Sequence, residues 1–175
     1  MCKTRAHVER GGRTLFALAI MAIAPFAFPG SATPADLVGG SAVASMSGQE
    51  ESLLAAINQA RAARGVAPLK LGARLQKAAE AHSRAMARSG AFGHGNWYRR
   101  LRAHGVRGRA LGETIAWGVG TDGTARAIVA MWLASPSHRA TMLRPGFRRI
   151  GVGIAVGPMD GFPAARLATA DFSGG

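Results

Sequence analysis

Few residues in this chain could carry chemistry, because it has nine acidic residues and five histidines against 22 lysines and arginines. Glu113 lies in "GETIAWG", His138 in "SPSHR" and His94 in the glycine-bounded segment "GAFGHG". Carboxylates and imidazoles can act as metal ligands, hydrogen-bond partners or acid–base groups. The three positions are far apart and match no short ligand motif, so their spacing alone does not define a shared site.

Sequence patterns of familiar enzymes are missing from the chain. It contains no HExxH, GxSxG, phosphate-binding-loop or CxxC pattern. Its only cysteine, Cys2, precedes the first apolar run, so the rest of the chain has neither a thiol nor a disulfide. The domain must therefore be stabilised by its core alone, and redox chemistry at cysteine is excluded downstream of residue 2.

The N-terminal residues have the pattern of a targeting segment. Four basic residues precede an uncharged, mostly apolar run over residues 15–28, and small residues follow at 30–32. This order predicts a signal peptide over residues 1–32, cleaved after Ala32, and a secreted or periplasmic protein. An uncleaved anchor is the alternative, although Pro25 and Pro29 interrupt the run. No second apolar run follows, so we expect no transmembrane span in the mature protein.

The charge of the chain is strongly positive, at +13 overall. Beyond residue 32 there remain 18 basic and 8 acidic residues, a net charge of +10. Two interpretations stay open: a solvated basic face, or a patch that binds anionic envelope surfaces. Secretion argues against nucleic acid as the partner. Because charged side chains usually face water, replacing the first three arginines of the basic stretch by serine should barely change stability. The basic stretch consists of Arg99, Arg100, Arg102, Arg107 and Arg109.

Apolar periodicity predicts helices over most of the chain after a flexible lead-in at residues 33–48. The first helix begins at a Ser47–Glu50 capping box, and the second covers residues 73–89. Shorter helices follow at residues 96–104 and 124–134, and another begins at Ser135-Pro136, which places His138 at its third position. The glycine-rich residues 105–123, which include "GETIAWG", are predicted to be mostly loop.

The last third of the chain has the period of a β-hairpin. Residues 149–157 alternate β-branched side chains with glycine and alanine, and residues 165–173 form the predicted antiparallel return strand. One face of the first strand should pack through Ile150, Val152, Ile154 and Val156, and the other should admit a close neighbour. Helices followed by a terminal hairpin indicate an α+β protein.

Five segments, in order, resemble bacterial CAP domains of the SCP/PR1-like type. They are "LLAAINQARAARGVAPL", "LQKAAEAHSRAMARSGAFGH", "GETIAWG", "WLASPSHRATMLRPGFRRIGVGIA" and "TADF", and they span about residues 50–173. The resemblance implies a CAP domain over residues 49–174. It also implies an α-β-α sandwich, with a small antiparallel sheet between helical layers.

The resemblance also implies a cleft built from distant loops, with two histidines and two acidic residues. The matching positions here are His94, Glu113 and His138, and the second acidic position falls on Ser135. Two imidazoles and one carboxylate suit Zn²⁺ or a similar divalent cation, so we expect weak metal binding by these three residues, near or above neutral pH. The alternative is a buried hydrogen-bonded cluster that only holds the loops together.

Three functions follow as alternatives. The first is binding of a lipid, envelope component or protein partner through the cleft. The second is a metal-dependent hydrolase using His94, Glu113 and His138. The third is electrostatic attachment to anionic surfaces through the basic stretch. The reduced ligand set and the lack of a clear nucleophile favour binding over catalysis.

Overall fold

The computed structural model describes residues 46–175, and the predicted signal peptide and most of the predicted lead-in lie outside them. No helix within the described residues is long and apolar enough to cross a membrane. The elements are α1 Gly48–Ala62, β1 Lys70–Leu71, α2 Ala73–Ser89, α3 Trp97–Ala103, β2 Ala110–Gly118, a 3₁₀ turn Gly120–Gly123, α4 Ala125–Ala134, α5 Pro136–Met142, β3 Phe147–Met159 and β4 Phe162–Gly174.

The predicted helices and the terminal hairpin are confirmed. The capping box is present, since Ser47 Oγ accepts from the Glu50 amide and the Glu50 carboxylate accepts from the Ser47 amide. Gly90 ends α2 in the left-handed conformation, with φ of 65°. β3 and β4 pair antiparallel as predicted.

The sheet is mixed, so the antiparallel sheet that the resemblance implied is corrected in one respect. Its strand order is β1-β3-β4-β2. β1 runs parallel to β3, with Lys70 opposite Arg149, whereas the other pairs are antiparallel. Parallel pairing requires a long crossover, and the chain between β1 and β3 supplies it.

"GETIAWG" is a strand, so the prediction of a loop at these residues is wrong. β2 pairs with β4 along its whole length, and Glu113 lies opposite Asp171. The glycines that suggested a loop serve close packing instead. A Cβ on Gly112 would lie 2.9 Å from the Phe147 ring and 3.0 Å from the Thr141 methyl group. Small residues therefore let β2 approach its neighbours on the side opposite Glu113.

Helices cover both faces of the sheet, which confirms the α-β-α sandwich. On one face α2 lies so close that a Cβ on Gly151 would come within 2.0 Å of the Leu75 backbone. On the other face the main core joins α1 and α4 to β3 and β4. Val156, predicted to pack inward, is 59% exposed instead. Because α1 begins beside Ile154, where Glu50 accepts from the Ile154 amide, the hairpin end of β3 extends past this layer.

A buried arginine attaches α5, the helix that carries His138, to α1. Arg61 is fully buried, and its guanidinium donates to the carbonyl oxygens of Ala67, Met142 and Arg144 at 2.9, 2.7 and 3.2 Å. Met142 is the last residue of α5, where carbonyl groups lack intrahelical partners, and Arg144 follows two residues later, where its carbonyl group also accepts from the Phe147 amide. The position of His138 therefore depends on a contact made far away in the sequence.

Candidate functional site

Glu113 is the centre of the arrangement. Its side chain has no solvent exposure and lies on the face of β2 that α2 and α3 cover. Oε1 lies 2.7 Å from His94 Nδ1, and Oε2 accepts from the Arg100 guanidinium. His82 Nε2 lies 3.9 Å from the same Oε2. Both carboxylate oxygens are thus engaged by side chains of this chain.

His94 lies on the loop between α2 and α3, and two contacts hold that loop against the sheet. His82 Nε2 donates to the carbonyl oxygen of Gly93 at 3.1 Å, and Arg100 Nη1 donates to the carbonyl oxygen of His94 at 3.2 Å. The His94 side chain remains 42% exposed. In its neutral form His94 carries the proton on Nδ1, toward Glu113, which leaves Nε2 as an acceptor.

His138 faces His94, the other histidine of the cleft that the resemblance implies. Their ring centroids are 5.9 Å apart, and the ring planes are inclined by 42°. His138 is half-buried at the third position of α5. Burial lowers the pKa of His138, and the neighbouring His94 lowers it further. Burial, followed by the Arg100 charge, lowers the pKa of His94. Both rings are therefore neutral at pH 7.

His82 supports this pair from the core. It is buried on the inner face of α2, and its ring is hydrogen-bonded to the Gly93 carbonyl group. Burial and the Arg100 charge lower its pKa to about 4, against the opposing effect of that hydrogen bond. His82 is thus a satisfied core histidine that also fixes the loop of His94.

Ser135 does not join the other three predicted residues. It occupies the N-cap of α5 without a side-chain capping bond, and its Oγ lies 3.4 Å from Ser137 Oγ. Among residues 46–175 no Ser, Thr or Cys side chain is hydrogen-bonded to His82, His94 or His138. An activated hydroxyl nucleophile is therefore not formed in this arrangement.

Arg100 departs from the prediction for the basic stretch, which placed it in water. Its side chain is only 17% exposed and is paired with Glu113. Arg99, Arg107 and Arg109 are exposed as expected, whereas Arg102 is partly buried and donates to the Val106 carbonyl group. The sequence contains a pattern that indicates burial of Arg100, because Trp97, Arg100 and Leu101 have the i, i+3, i+4 spacing of an inner helix face.

Asp171 is a polar residue of the site that the sequence analysis missed. It lies on β4 directly opposite Glu113 and is fully buried. Neither of its carboxylate oxygens has a hydrogen-bond partner among the described residues, and the same is true of Arg100 Nε. Burial raises the pKa of Asp171 to about 7, although the Arg100 charge opposes that rise. The alternation of Thr169, Asp171 and Ser173 with apolar residues marks one polar face of β4.

The residues implied as metal ligands do not fit a three-ligand ion as they are arranged. No group of three or more His, Cys, Asp or Glu side chains within residues 46–175 is placed to hold a metal ion. Glu113 has no free oxygen, because His94 and Arg100 engage both. A cation about 4 Å from the guanidinium would also meet repulsion of about 4 kcal/mol for each unit of its charge. Arg100 thus supplies the positive charge that Glu113 requires.

A cavity of about 300 Å³ opens between α5 and the start of β2, and neither His94 nor His138 is among its lining residues. Thr141, one of its lining residues, lies three positions after His138 and so shares a helix face with it. Arg144 also lines the cavity, and its guanidinium lies 5.4 Å from the centre of the Phe147 ring. This cavity forms a seam between α5 and β2 that combines one exposed guanidinium with the apolar side chains of Leu111 and Phe147, and α5 also carries His138.

Comparisons with known proteins agree with this architecture. The model of the cysteine-rich secretory protein family, CAP, matches residues 54–171. The uncharacterized protein YkwD of Bacillus subtilis is 32% identical over 118 residues, which cover 65% of this chain and 45% of that protein. The chain therefore spans less than half of the length of this curated relative.

Two solved structures share the fold. An extracellular protein of Bacillus anthracis that contains an SCP domain has a TM-score of 0.57 and 24% identity, over 73% of this chain and 41% of that one. An outer surface protein of Borrelia burgdorferi has a TM-score of 0.59 and 16% identity, over 71% and 92%.

The sandwich fold is that of an SCP-type domain. The chain belongs to the cysteine-rich secretory protein (CAP) family. In contrast to the family's name, residues 46–175 contain no cysteine.

Proposed function

We propose that this protein is a secreted, non-catalytic CAP-domain module that binds the headgroup of an anionic lipid along the seam between α5 and β2. The observation that carries the proposal is that α5 contributes both to the histidine pair and to the cavity. The ring centroids of His94 and His138 are 5.9 Å apart, and Thr141, on the same helix as His138, lines the cavity together with Arg144. Guanidinium and imidazole N–H groups are suitable donors to phosphate oxygens, and an apolar wall suits the glycerol and acyl portion.

Secretion is part of the proposal and has two supports. The order of charged, apolar and small residues at the N-terminus is typical of a signal peptide. Two relatives of similar fold are described as an extracellular protein and an outer surface protein. Because the whole relatives are longer than this domain in several cases, their further activities are not transferred to this chain.

Vesicle sedimentation tests the lipid proposal. We expect the protein to bind vesicles that contain phosphatidylglycerol and not vesicles of phosphatidylcholine alone. His138→Ala and Arg144→Gln should each weaken binding about tenfold, which corresponds to the loss of one charge-assisted or neutral hydrogen bond and its packing. The control, Arg107→Ser/Arg109→Ser, removes two exposed charges of the basic stretch and should change binding far less at physiological salt.

The same assay separates the alternatives. If the Arg107/Arg109 variant loses binding and the His138 and Arg144 variants keep it, electrostatic attachment through the basic stretch is the function and the cleft proposal is wrong. No preference for phosphatidylglycerol over phosphatidylcholine would reject an anionic lipid as the ligand. The hydrolase alternative depends on a three-ligand ion at Glu113, and the engagement of both oxygens gives it no support.

A further inference from the structure

The surroundings of Glu113 show how the cleft satisfies a buried negative charge. A carboxylate with no solvent exposure requires a cation or several donors, since burial of an unpaired ion is very costly. Arg100 meets this need with a guanidinium that stays protonated at any physiological pH. One of its terminal nitrogens binds Glu113 and the other donates to the carbonyl oxygen of His94.

Arg100 also acts electrostatically on a second buried carboxylate, that of Asp171. Asp171 faces the same side of the sheet as Glu113, because the two residues are register partners on adjacent antiparallel strands. Its charge and that of Arg100 act on each other without a direct hydrogen bond. One guanidinium charge thus lies among two acidic side chains and two half-buried imidazoles. Without such a charge, this composition attracts divalent metal ions.

We propose that Arg100 is a built-in cation that keeps divalent metal ions out of this cleft, and that its removal turns His94, Glu113 and His138 into a metal site. In the native chain a metal ion would have to displace the guanidinium from Glu113 and remain close to its charge. Without Arg100, Glu113 Oε2 becomes free while His94 remains beside Oε1. This inference concerns Arg100 alone and does not depend on the proposed lipid ligand.

Metal titration of Arg100→Gln tests the proposal directly. Co²⁺ is the first probe, because bound Co²⁺ has visible absorption bands, and Zn²⁺ is the second, read as a shift in Tm. The native protein should show neither signal at pH 7.5. Arg100→Gln should bind both ions at least about 100-fold more tightly, a lower limit because the full repulsion between a guanidinium and a divalent ion roughly 4 Å away is considerably larger. The signals should disappear in Arg100→Gln/His94→Ala.

The matched control is Arg99→Gln, which removes the neighbouring exposed charge and should gain no metal binding. If Arg100→Gln is poorly folded alone, it is refolded with and without Zn²⁺, because metal binding to a native-like site is coupled to folding. Recovery of the native fold with Zn²⁺ supports the proposal. A variant that Zn²⁺ neither binds nor refolds overturns it. Native protein that binds Zn²⁺ with its Arg100 intact, and loses this binding in His138→Ala, overturns it as well.

Discussion

Replacing Arg100 by methionine is expected to lower the free energy of unfolding by about 3 to 5 kcal/mol at pH 7. The substitution keeps much of the apolar stem but leaves the Glu113 carboxylate buried without its cation. His94 and His82 are neutral neighbours and only partly replace that charge. Urea unfolding of the two proteins at one pH and salt concentration measures the difference.

Two further variants show that the loss comes from the ion pair. Arg99→Met removes the adjacent exposed arginine, and its effect should stay within about 0.5 kcal/mol. Arg100→Met/Glu113→Gln removes both charges and should recover more than about 1 kcal/mol of the loss in Arg100→Met. If Arg100→Met is no less stable than Arg99→Met, the placement of Arg100 against Glu113 is wrong and the sequence-based prediction of a solvated side chain stands.

Asp171→Asn should stabilise the protein by about 3 to 4 kcal/mol at pH 8 while changing its stability little near pH 4. Asp171 has a folded pKa of about 7 against 3.8 in the unfolded chain. Between these values the folded state holds a proton that the unfolded state has lost. The free energy of unfolding therefore falls as pH rises from about 4 to about 7, and asparagine removes this fall.

The quantity to measure is the difference in free energy of unfolding between the native protein and Asp171→Asn, determined by urea unfolding from pH 4 to pH 8. A difference is needed because His82, with a folded pKa of about 4, makes the free energy of unfolding rise with pH, opposite to the effect of Asp171. Its neutral form is favoured in the fold, so its contribution is present above pH 6.5 and is lost as pH falls toward 4. Both proteins share that contribution. A difference that stays constant across this range would mean that Arg100 keeps Asp171 ionised.

The helices and the hairpin could be predicted because their signals are local. The Ser47–Glu50 capping box, Gly90 and the alternation over residues 149–157 each act within a few residues of the chain. The sequence pattern predicts a loop where the structure has β2, and the reason is physical. Its glycines resemble loop residues in sequence, and only the approach of Phe147 and Thr141 shows that they are needed for packing.

The site was predictable in part. The resemblance implies a cleft with His94, Glu113 and His138, and in the structure His94 contacts Glu113 and faces His138. The run of arginines predicts a solvated Arg100 and so conceals the place of this residue on the inner face of α3. The pairing of Asp171 with Glu113 depends on the register of β4 against β2, which no local pattern specifies.

The ring nitrogens of the histidines give the most direct test of a ligand site at the seam between α5 and β2. Long-range ¹H–¹⁵N spectra of the histidine-labelled protein would be recorded while soluble short-chain phosphatidylglycerol is added. Four rings report on separate regions: His94 and His138 on the cleft, His104 on the basic stretch and His82 on the core. The account predicts shifts at His94 and His138, with His82 and His104 unchanged. Shifts confined to His104, or none at all, would contradict it.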